Sequence, residues 1–497
     1  VSTMHLSVIF RITGILLMLF SVMFLPPMLI ALLFDEAMLT TFAVAFLLTL
    51  ACGLLMWLPV RGHRDLRGGD GFLITALFYI GLGLFGAIPF LLAPALNLSF
   101  VDAVFESMSG LTTTGATVLV NLDDMPRSLL FYRQQLQWFG GMGIIVLAVA
   151  IFPMLGIGGM QLYRTESPGP GKDNKLTPRI TETAQALWYI YVSLTLACAL
   201  AYWVAGMSAF DAICHSFATV AIGGFSTHDA SIGFFNSPAI EAVACVFMVL
   251  SGINFALHFL VWRRRNLLLY FADYELRTYF LVLLFVSFAM VGILIGDDGN
   301  SSALRQGTFQ AISFVTTTGF VTEDVSQWPA SASTLLLLAA FAGGCAGSTA
   351  GGIKLVRVLM VYLQGMREVR RLIHPNGVFP IKLGKTPVSD RLIESVWSFF
   401  SVYVLLFALS VILIMLTSEL DFITAFSAVG ATLNNLGPGL GDVASNYAGL
   451  DADVKWVLMF NMMLGRLEIF TLMVLLTPAH WRRQRSGAAA PTLRKRL

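Results

Sequence analysis

Four short polar stretches carry the residues that could do chemistry in this chain, and each contains glycine. Residues 111–118 read LTTTGATV and residues 315–322 read VTTTGFVT. Residues 219–227 read TVAIGGFST, and residues 432–439 read TLNNLGPG. Every one follows a short semi-apolar segment and lies between long apolar runs. Polar backbone at membrane depth is tolerated only where it lines a cavity or is buried in protein. Four copies in one chain therefore suggest four walls of one pore. The chemistry that suits them is coordination of a bare cation, because a ring of backbone carbonyls can replace an ion's hydration shell. Glycine reaches the dihedral angles such a ring needs. The end of a preceding helix carries partial negative charge, which favours a cation there.

The candidate ligands are the carbonyls of Thr112, Thr113, Thr114 and Gly115, and of Ala221, Ile222, Gly223 and Gly224. Thr316, Thr317, Thr318 and Gly319 form the third set, and Asn434, Asn435, Leu436 and Gly437 the fourth. None of these side chains is charged, which points to main-chain oxygen rather than carboxylate as the ligand. Potassium, or a similarly weakly hydrated monovalent ion, fits this better than calcium. A single TTTG could be only a turn packed among helices; four copies at matched positions outweigh that reading.

Two further features could control passage. Residues 343–354 read GGCAGSTAGGIK inside an apolar run. A glycine in a helix interior costs roughly 1 kcal/mol relative to alanine. Gly343, Gly344, Gly347, Gly351 and Gly352, with Ser348 and Thr349, should therefore break the helix ahead of Lys354. Close helix packing is the competing reading, since Gly343, Gly347 and Gly351 stand at small-xxx-small spacing; the paired glycines favour the break. A phosphate-binding loop fails, because Ile353 follows Gly352 where such a loop needs lysine. Arg466 lies inside the last apolar run, where a charge costs at least about 2.5–3.5 kcal/mol and normally faces a cavity or a partner. It reads as a positive barrier in the pore. A local ion pair with Glu468 is disfavoured, because residues two apart on a helix do not face each other.

The elements that must position these residues are membrane helices. Of 497 residues, 57% are hydrophobic and 12% charged, against about 25% charged in a soluble protein. A span needs roughly 20 apolar residues. Ten spans are expected, at residues 8–34, 39–60, 72–92, 136–155, 183–205, 238–261, 276–295, 333–360 (interrupted), 396–416 and 454–476. Short segments near 102–111, 211–220, 306–315 and 424–433 are too short to cross and read as re-entrant. The fold expected is an all-α polytopic membrane protein with four span–pore-helix–loop–span repeats in pseudo-fourfold arrangement around one pore. Its units are an N-terminal two-helix domain at 4–60 and repeats at 70–156, 181–262, 268–370 (second span broken) and 389–478, with a basic tail at 479–497. Aligned on their glycines, the first two copies read DAVFESMSGLTTTG and DAICHSFATVAIGG without a gap.

Lysine and arginine in short loops set orientation. With the N-terminus inside, Arg61, Arg64, Arg67, Arg164, Lys172, Arg263 to Arg265, Lys354 to Arg391 and the tail from Arg482 all lie in the cytoplasm. The four glycine loops then occupy the outer half of the membrane, with acidic residues such as Asp123, Asp124 and Asp229 outside them. Val1 to Thr3, ahead of Met4, read as an added tag. The five cysteines form no C-x-x-C pair, so neither a disulfide framework nor a zinc site is suggested. His215 and His258 read as packed or hydrogen-bonded, and Trp138, Trp188, Trp328 and Trp456 as interfacial anchors.

The stretches GLTTTGAT (110–117), QWFGGMGIIVLAVAI (137–151), HSFATVAIGGFSTHD (215–229), GGCAGSTAGGIK (343–354), ATLNNLGPGLG (431–441) and GRLEIFTL (465–472) resemble the TrkH family. These are membrane subunits of bacterial Trk potassium uptake systems, in the superfamily shared with KtrB. The resemblance covers nearly the whole chain. It implies a multi-pass protein of the bacterial inner membrane with both termini cytoplasmic. It implies a homodimer bearing a TrkA-like, nucleotide-binding cytoplasmic regulatory subunit, and potassium as the ion held by the filter. It also implies that residues 343–354 obstruct conduction below the filter until they move; Ala350 stands where the family usually has glycine. No nucleic-acid partner is expected. The main alternative is a secondary symporter coupling potassium to protons or sodium, which would want a titratable relay built from Glu106, Glu468 and a few histidines. An enzyme is not expected, since no H-E-x-x-H, G-x-S-x-G or paired-aspartate motif sits within a span.

Overall fold

The computed structural model describes residues 6–58, 68–94, 96–146, 180–298, 302–384, 386–467, 469 and 473. It is predominantly helical; among the described residues the only strands are β1 (Lys382–Leu383) and β2 (Thr386–Pro387), paired antiparallel. Five described helical stretches are long and apolar enough to cross a membrane: Phe10–Leu33, Met38–Trp57, Gln185–Val204, Tyr274–Gly296 and Asp390–Thr417. These match the first, second, fifth, seventh and ninth expected spans. Residues 147–155 and 474–476 of the fourth and tenth expected spans lie outside the described residues, as do Glu468, residues 59–67 and 147–179, and residues 479–497.

The N-terminal unit is α1 (Leu6–Ser21), α2 (Leu25–Leu33) and α3 (Met38–Trp57). α1 and α3 cross glycine to glycine: a Cβ on Gly14 would lie 2.7 Å from the Gly53 oxygen. The first repeat comprises α4 (Gly68–Gly86), α5 (Ile88–Leu92), α6 (Phe100–Leu111) and α7 (Arg127–Val146). Tyr132 on α7 joins the two units. Its ring sits against Phe24, Phe42 and Phe90 at centroid distances of 5.4–5.7 Å, and its hydroxyl donates to the Gly86 carbonyl at 2.8 Å.

The second repeat holds α8 (Ile180–Val204), α9 (Ala209–Ala221), α10 (Pro238–Ser251) and α11 (Phe255–Arg264). The third holds α12 (Leu268–Ala272), α13 (Tyr274–Asp298), α14 (Ala303–Val315), α15 (Ala330–Ala342) and α16 (Leu355–Ile373). The fourth holds α17 (Asp390–Thr417), α18 (Phe422–Leu433) and α19 (Ala452–Arg466). The short helices α6, α9, α14 and α18 have 12 or 13 residues. At 1.5 Å per residue they reach about 20 Å, less than the roughly 30 Å of a hydrocarbon core. Three of their starts are fixed by side chains that accept N–H bonds one turn on: Ser99 from Asp102, Ser208 from Asp211, and Asp421 from Ile423 and Thr424. Such caps are worth about 1 kcal/mol each.

Two expectations need correcting. The sixth span, 238–261, is not continuous: α10 and α11 meet at 89°. Gly252 ends α10, and the Asn254 side chain accepts the Ala256 N–H at 2.9 Å to begin α11. Thus two repeats have a broken second helix, the other break being the expected one between α15 and α16. Trp138 is a second correction. Its ring stacks on Phe217 at 5.3 Å and its Nε1 donates to Thr195 at 3.0 Å, so it cements the first two repeats rather than anchoring at an interface.

Candidate ion-coordinating site

All four short helices end in the same way. Thr113, Ile222, Thr317 and Asn435 have φ of 52°, 54°, 63° and 53°, and each sits two residues before its loop glycine. The glycines themselves, Gly115, Gly224, Gly319 and Gly437, have φ of 84°, 77°, 79° and 97°. At the first cap the N–H of Thr113 bonds the Gly110 carbonyl, and the N–H of Thr114 reaches back to Ser109. The same pair recurs as Ile222 to Thr219 with Gly223 to Ala218, Thr317 to Phe314 with Thr318 to Ser313, and Asn435 to Thr432 with Leu436 to Ala431. This is the Schellman pattern that closes helices, normally with glycine in the left-handed position. Threonine or isoleucine there stores strain of order 1–3 kcal/mol, a hallmark of functional sites.

The loops then meet in a closed ring. A Cβ on Gly115 would lie 2.1 Å from the Gly223 oxygen, and one on Gly224 would lie 2.0 Å from the Thr318 oxygen. One on Gly319 would lie 2.0 Å from the Leu436 oxygen, and one on Gly437 would lie 2.7 Å from the Thr114 oxygen. Each glycine thus abuts the carbonyl that precedes the next repeat's glycine, and the fourth returns to the first. The candidate ligand residues are brought together; all but Thr112, Ala221, Thr316 and Asn434 touch across repeats or hold the left-handed angle. Thr112 and Thr114 pair through their hydroxyls at 2.7 Å, and Thr316 and Thr318 at 2.8 Å. Asn434 instead donates to the Gly430 carbonyl at 2.9 Å and accepts the Tyr403 hydroxyl at 2.7 Å.

The interrupted stretch lies against this ring. Gly343, Gly347 and Gly352 have φ of 67°, 77° and 72°, and Lys354 has 76°, so the chain between α15 and α16 is a loop and not a packed helix. The Gly351 N–H donates to the Thr317 hydroxyl at 2.7 Å, and the Gly352 N–H to the Asn434 carbonyl at 3.0 Å. Thr349 donates to the Val220 carbonyl at 3.0 Å. The same loop is stitched to the break in the second repeat: Cys345 N–H bonds the Gly252 carbonyl at 3.0 Å, and Phe255 N–H bonds the Gly347 carbonyl at 3.1 Å. Gly344 lies over the Gly252 oxygen, Ser348 turns back on the Cys345 carbonyl, and Lys354 Nζ donates to the Ala350 carbonyl. Arg466 is 2% exposed and reaches the loop from α19, donating to the Thr349 carbonyl at 2.9 Å and toward Gly140 at 3.4 Å.

Behind the first loop lies a buried ion pair that the sequence did not announce. Glu106 on α6 and Arg133 on α7 are 0% and 1% exposed and 2.7 Å apart. Glu106 also accepts from Thr117 and from the Val118 N–H, while Arg133 donates to the Ser226 carbonyl and covers the Phe225 ring at 4.3 Å. The pair therefore ties the first loop to the second. Removing one partner of a buried pair strands the other charge, at a cost of about 3–5 kcal/mol. Arg133→Leu is accordingly expected to lower the thermal midpoint of the detergent-solubilised protein by several degrees; an unchanged midpoint would deny the pair a structural part. The equivalent position in the second repeat is His215, hydrogen-bonded to the Asp211 carbonyl and to Ser226 at 2.9 Å each, and His258 bonds Tyr270 and the Leu250 carbonyl.

Beyond the second loop, His228 stacks on Phe234 and pairs with Asp123 of the first repeat at 2.5 Å and with Asp211 at 3.5 Å. Partial burial pulls the imidazole pKa down, but the two carboxylates outweigh it and hold the value above the usual histidine range. Among the described residues no cluster of three or more His, Cys, Asp or Glu side chains could hold a metal ion.

A family model described as TrkH, cation transport protein, matches residues 38–482. The Trk system potassium uptake protein TrkH of Halomonas elongata is 56% identical over 485 residues, covering 97% of this chain and 100% of its own length. The protein of the same name from Escherichia coli K12 is 53% identical over 483 residues, 96% of this chain and all of that one. The crystal structure of the potassium transporter TrkH from Vibrio parahaemolyticus is similar with a TM-score of 0.90 and 49% identity, covering 96% of this chain and 100% of that one.

Proposed function

The chain belongs to the TrkH family of cation transport proteins, and from that premise we propose that it is the pore subunit of a potassium uptake system, with the four glycine loops as its selectivity filter. The observation that carries this reading is the closed succession of glycine-to-carbonyl contacts from Gly115 through Gly224, Gly319 and Gly437 back to Thr114. Oxygens gathered around one axis at fixed spacing can exchange for the water around a weakly hydrated cation. Potassium is the ion at the filter, consistent with the names of the relatives. Residues 343–354 and Arg466 form the gate beneath it. A cytoplasmic nucleotide-binding subunit of the TrkA type moves that gate, two copies of the chain associate, and the protein sits in the bacterial inner membrane with both termini in the cytoplasm.

Coupling to protons or sodium would need a titratable relay, and Glu106 is held by Arg133 while His215 and His258 are hydrogen-bonded at both ring nitrogens. The test is cation uptake into proteoliposomes of the purified protein. Rubidium and potassium are expected to enter and compete, with sodium slower and no stoichiometric proton movement. Equal uptake of sodium and lithium would remove the filter reading, and proton flux in fixed ratio to potassium would favour the symporter.

A further inference from the structure

We infer that Gln137, a residue of the first repeat, is the positioning residue for the second repeat's filter loop, and that it sets how well that loop distinguishes potassium from sodium. The inference rests on the filter reading above. The starting point is a gap in the pattern. The first and third loops are tied to their own helices by hydroxyl pairs, with Thr112 and Thr316 donating to the carbonyls of Met108 and Ile312. The fourth uses Asn434 in the same place, and Asn435 donates to Thr114 and to the Met462 carbonyl. The second loop has Ala221 and Gly223 where the first has Thr112 and Thr114. Neither side chain can make such a bond.

Gln137 supplies it from outside. This side chain is 0% exposed. Its Nε2 donates to the Gly223 carbonyl at 2.5 Å, and its Oε1 accepts the Phe225 N–H at 3.1 Å. One amide thereby grips the chain on both sides of Gly224. Gly223 makes room for it: a Cβ there would lie 2.4 Å from the Gln137 Cδ. The departure of the second loop from the TTTG pattern and the burial of Gln137 are then one feature. A threonine at 223 would push the Gln137 amide out of this position. Arg133, one turn earlier on α7, extends the grip to the Ser226 carbonyl. A carbonyl oxygen has two lone pairs, so the Gly223 oxygen keeps one for an ion while its direction is fixed by the amide. Without that amide, the peptides flanking Gly224 are free to reorient, and the ring loses a ligand of defined direction.

The test uses the full-length protein in proteoliposomes, reading the sodium-to-potassium permeability ratio beside total rubidium uptake. Gln137→Leu removes both bonds and is expected to raise the ratio by about three- to tenfold, the span of one or two modest hydrogen bonds. Gln137→Glu keeps the shape and the acceptor for Phe225 but sets an acceptor-only oxygen against the Gly223 carbonyl, and should raise the ratio at least as much. A residue that only helps the protein fold would lower uptake of every cation and leave the ratio where it was. An unchanged ratio in both variants, with Gly115→Ser shifting it, overturns the inference and leaves the filter reading standing. If Gly115→Ser leaves it unchanged as well, the filter reading fails and this inference with it.

Discussion

Gly115→Ser and Gly319→Ser should each lower the potassium-to-sodium permeability ratio about tenfold or more, the equivalent of at least about 1.4 kcal/mol in relative ion stabilisation. Two physical effects combine. The new Cβ would lie 2.1 Å from the Gly223 oxygen in the first case and 2.0 Å from the Leu436 oxygen in the second, far inside van der Waals contact, so a ring carbonyl must turn away. The backbone angles of 84° and 79° also suit glycine and strain serine. Both changes act on the oxygens that would surround the ion, not on distant packing. Bi-ionic reversal potentials or competitive isotope uptake would measure the ratio. The control is Gly292→Ala on α13, where a Cβ meets nothing within 4 Å; its ratio should not move. Two serine variants that kept the parent ratio would leave the ring without a part in ion choice.

How much of this was legible beforehand depends on whether a feature leaves a local mark. The glycine loops did, because polar, glycine-bearing chain inside a long apolar run has few physical explanations at membrane depth. The break at 343–352 did, because several glycines accumulate in one helix interior. The break at 252–254 left only one glycine and one asparagine in an otherwise apolar run, too faint to outweigh helix continuity. Its cause is tertiary: Gly252 and Asn254 must meet Gly344 and Gly347 across the fold. The partners of Glu106, Arg133 and Gln137 were equally silent. A polar residue on an apolar helix looks the same whether it faces a cavity or a partner, and the partner of Gln137 lies 86 residues on. The order of the ring was not legible either. That each glycine abuts the following repeat's oxygen is a fact about neighbours around an axis, and four separate strings of letters do not contain it.

Removing Arg466 should open the pathway in the absence of any cytoplasmic subunit. A cation passing about 8 Å from the guanidinium, at an effective dielectric of about 20, meets a barrier of about 2 kcal/mol, or roughly thirtyfold in rate. Arg466→Ala removes that barrier and also the donor to the Thr349 carbonyl, so the loop loses a tether at the same stroke. The two contributions separate by substitution. Arg466→Gln discards the charge and can retain a donor, whereas Arg466→Lys keeps the charge and loses the planar fork that spans Thr349 and Gly140. If charge dominates, basal rubidium uptake rises in the glutamine variant and stays low in the lysine variant; if the tether dominates, lysine also conducts. Shortening the loop within residues 343–352 tests the other half of the gate. The Gly351 and Gly352 amides now rest on Thr317 and Asn434, so their withdrawal should leave uptake high without the regulator. A shortened loop that stayed closed would mean that these glycines serve close packing, and that the obstruction under the ring is Arg466 alone.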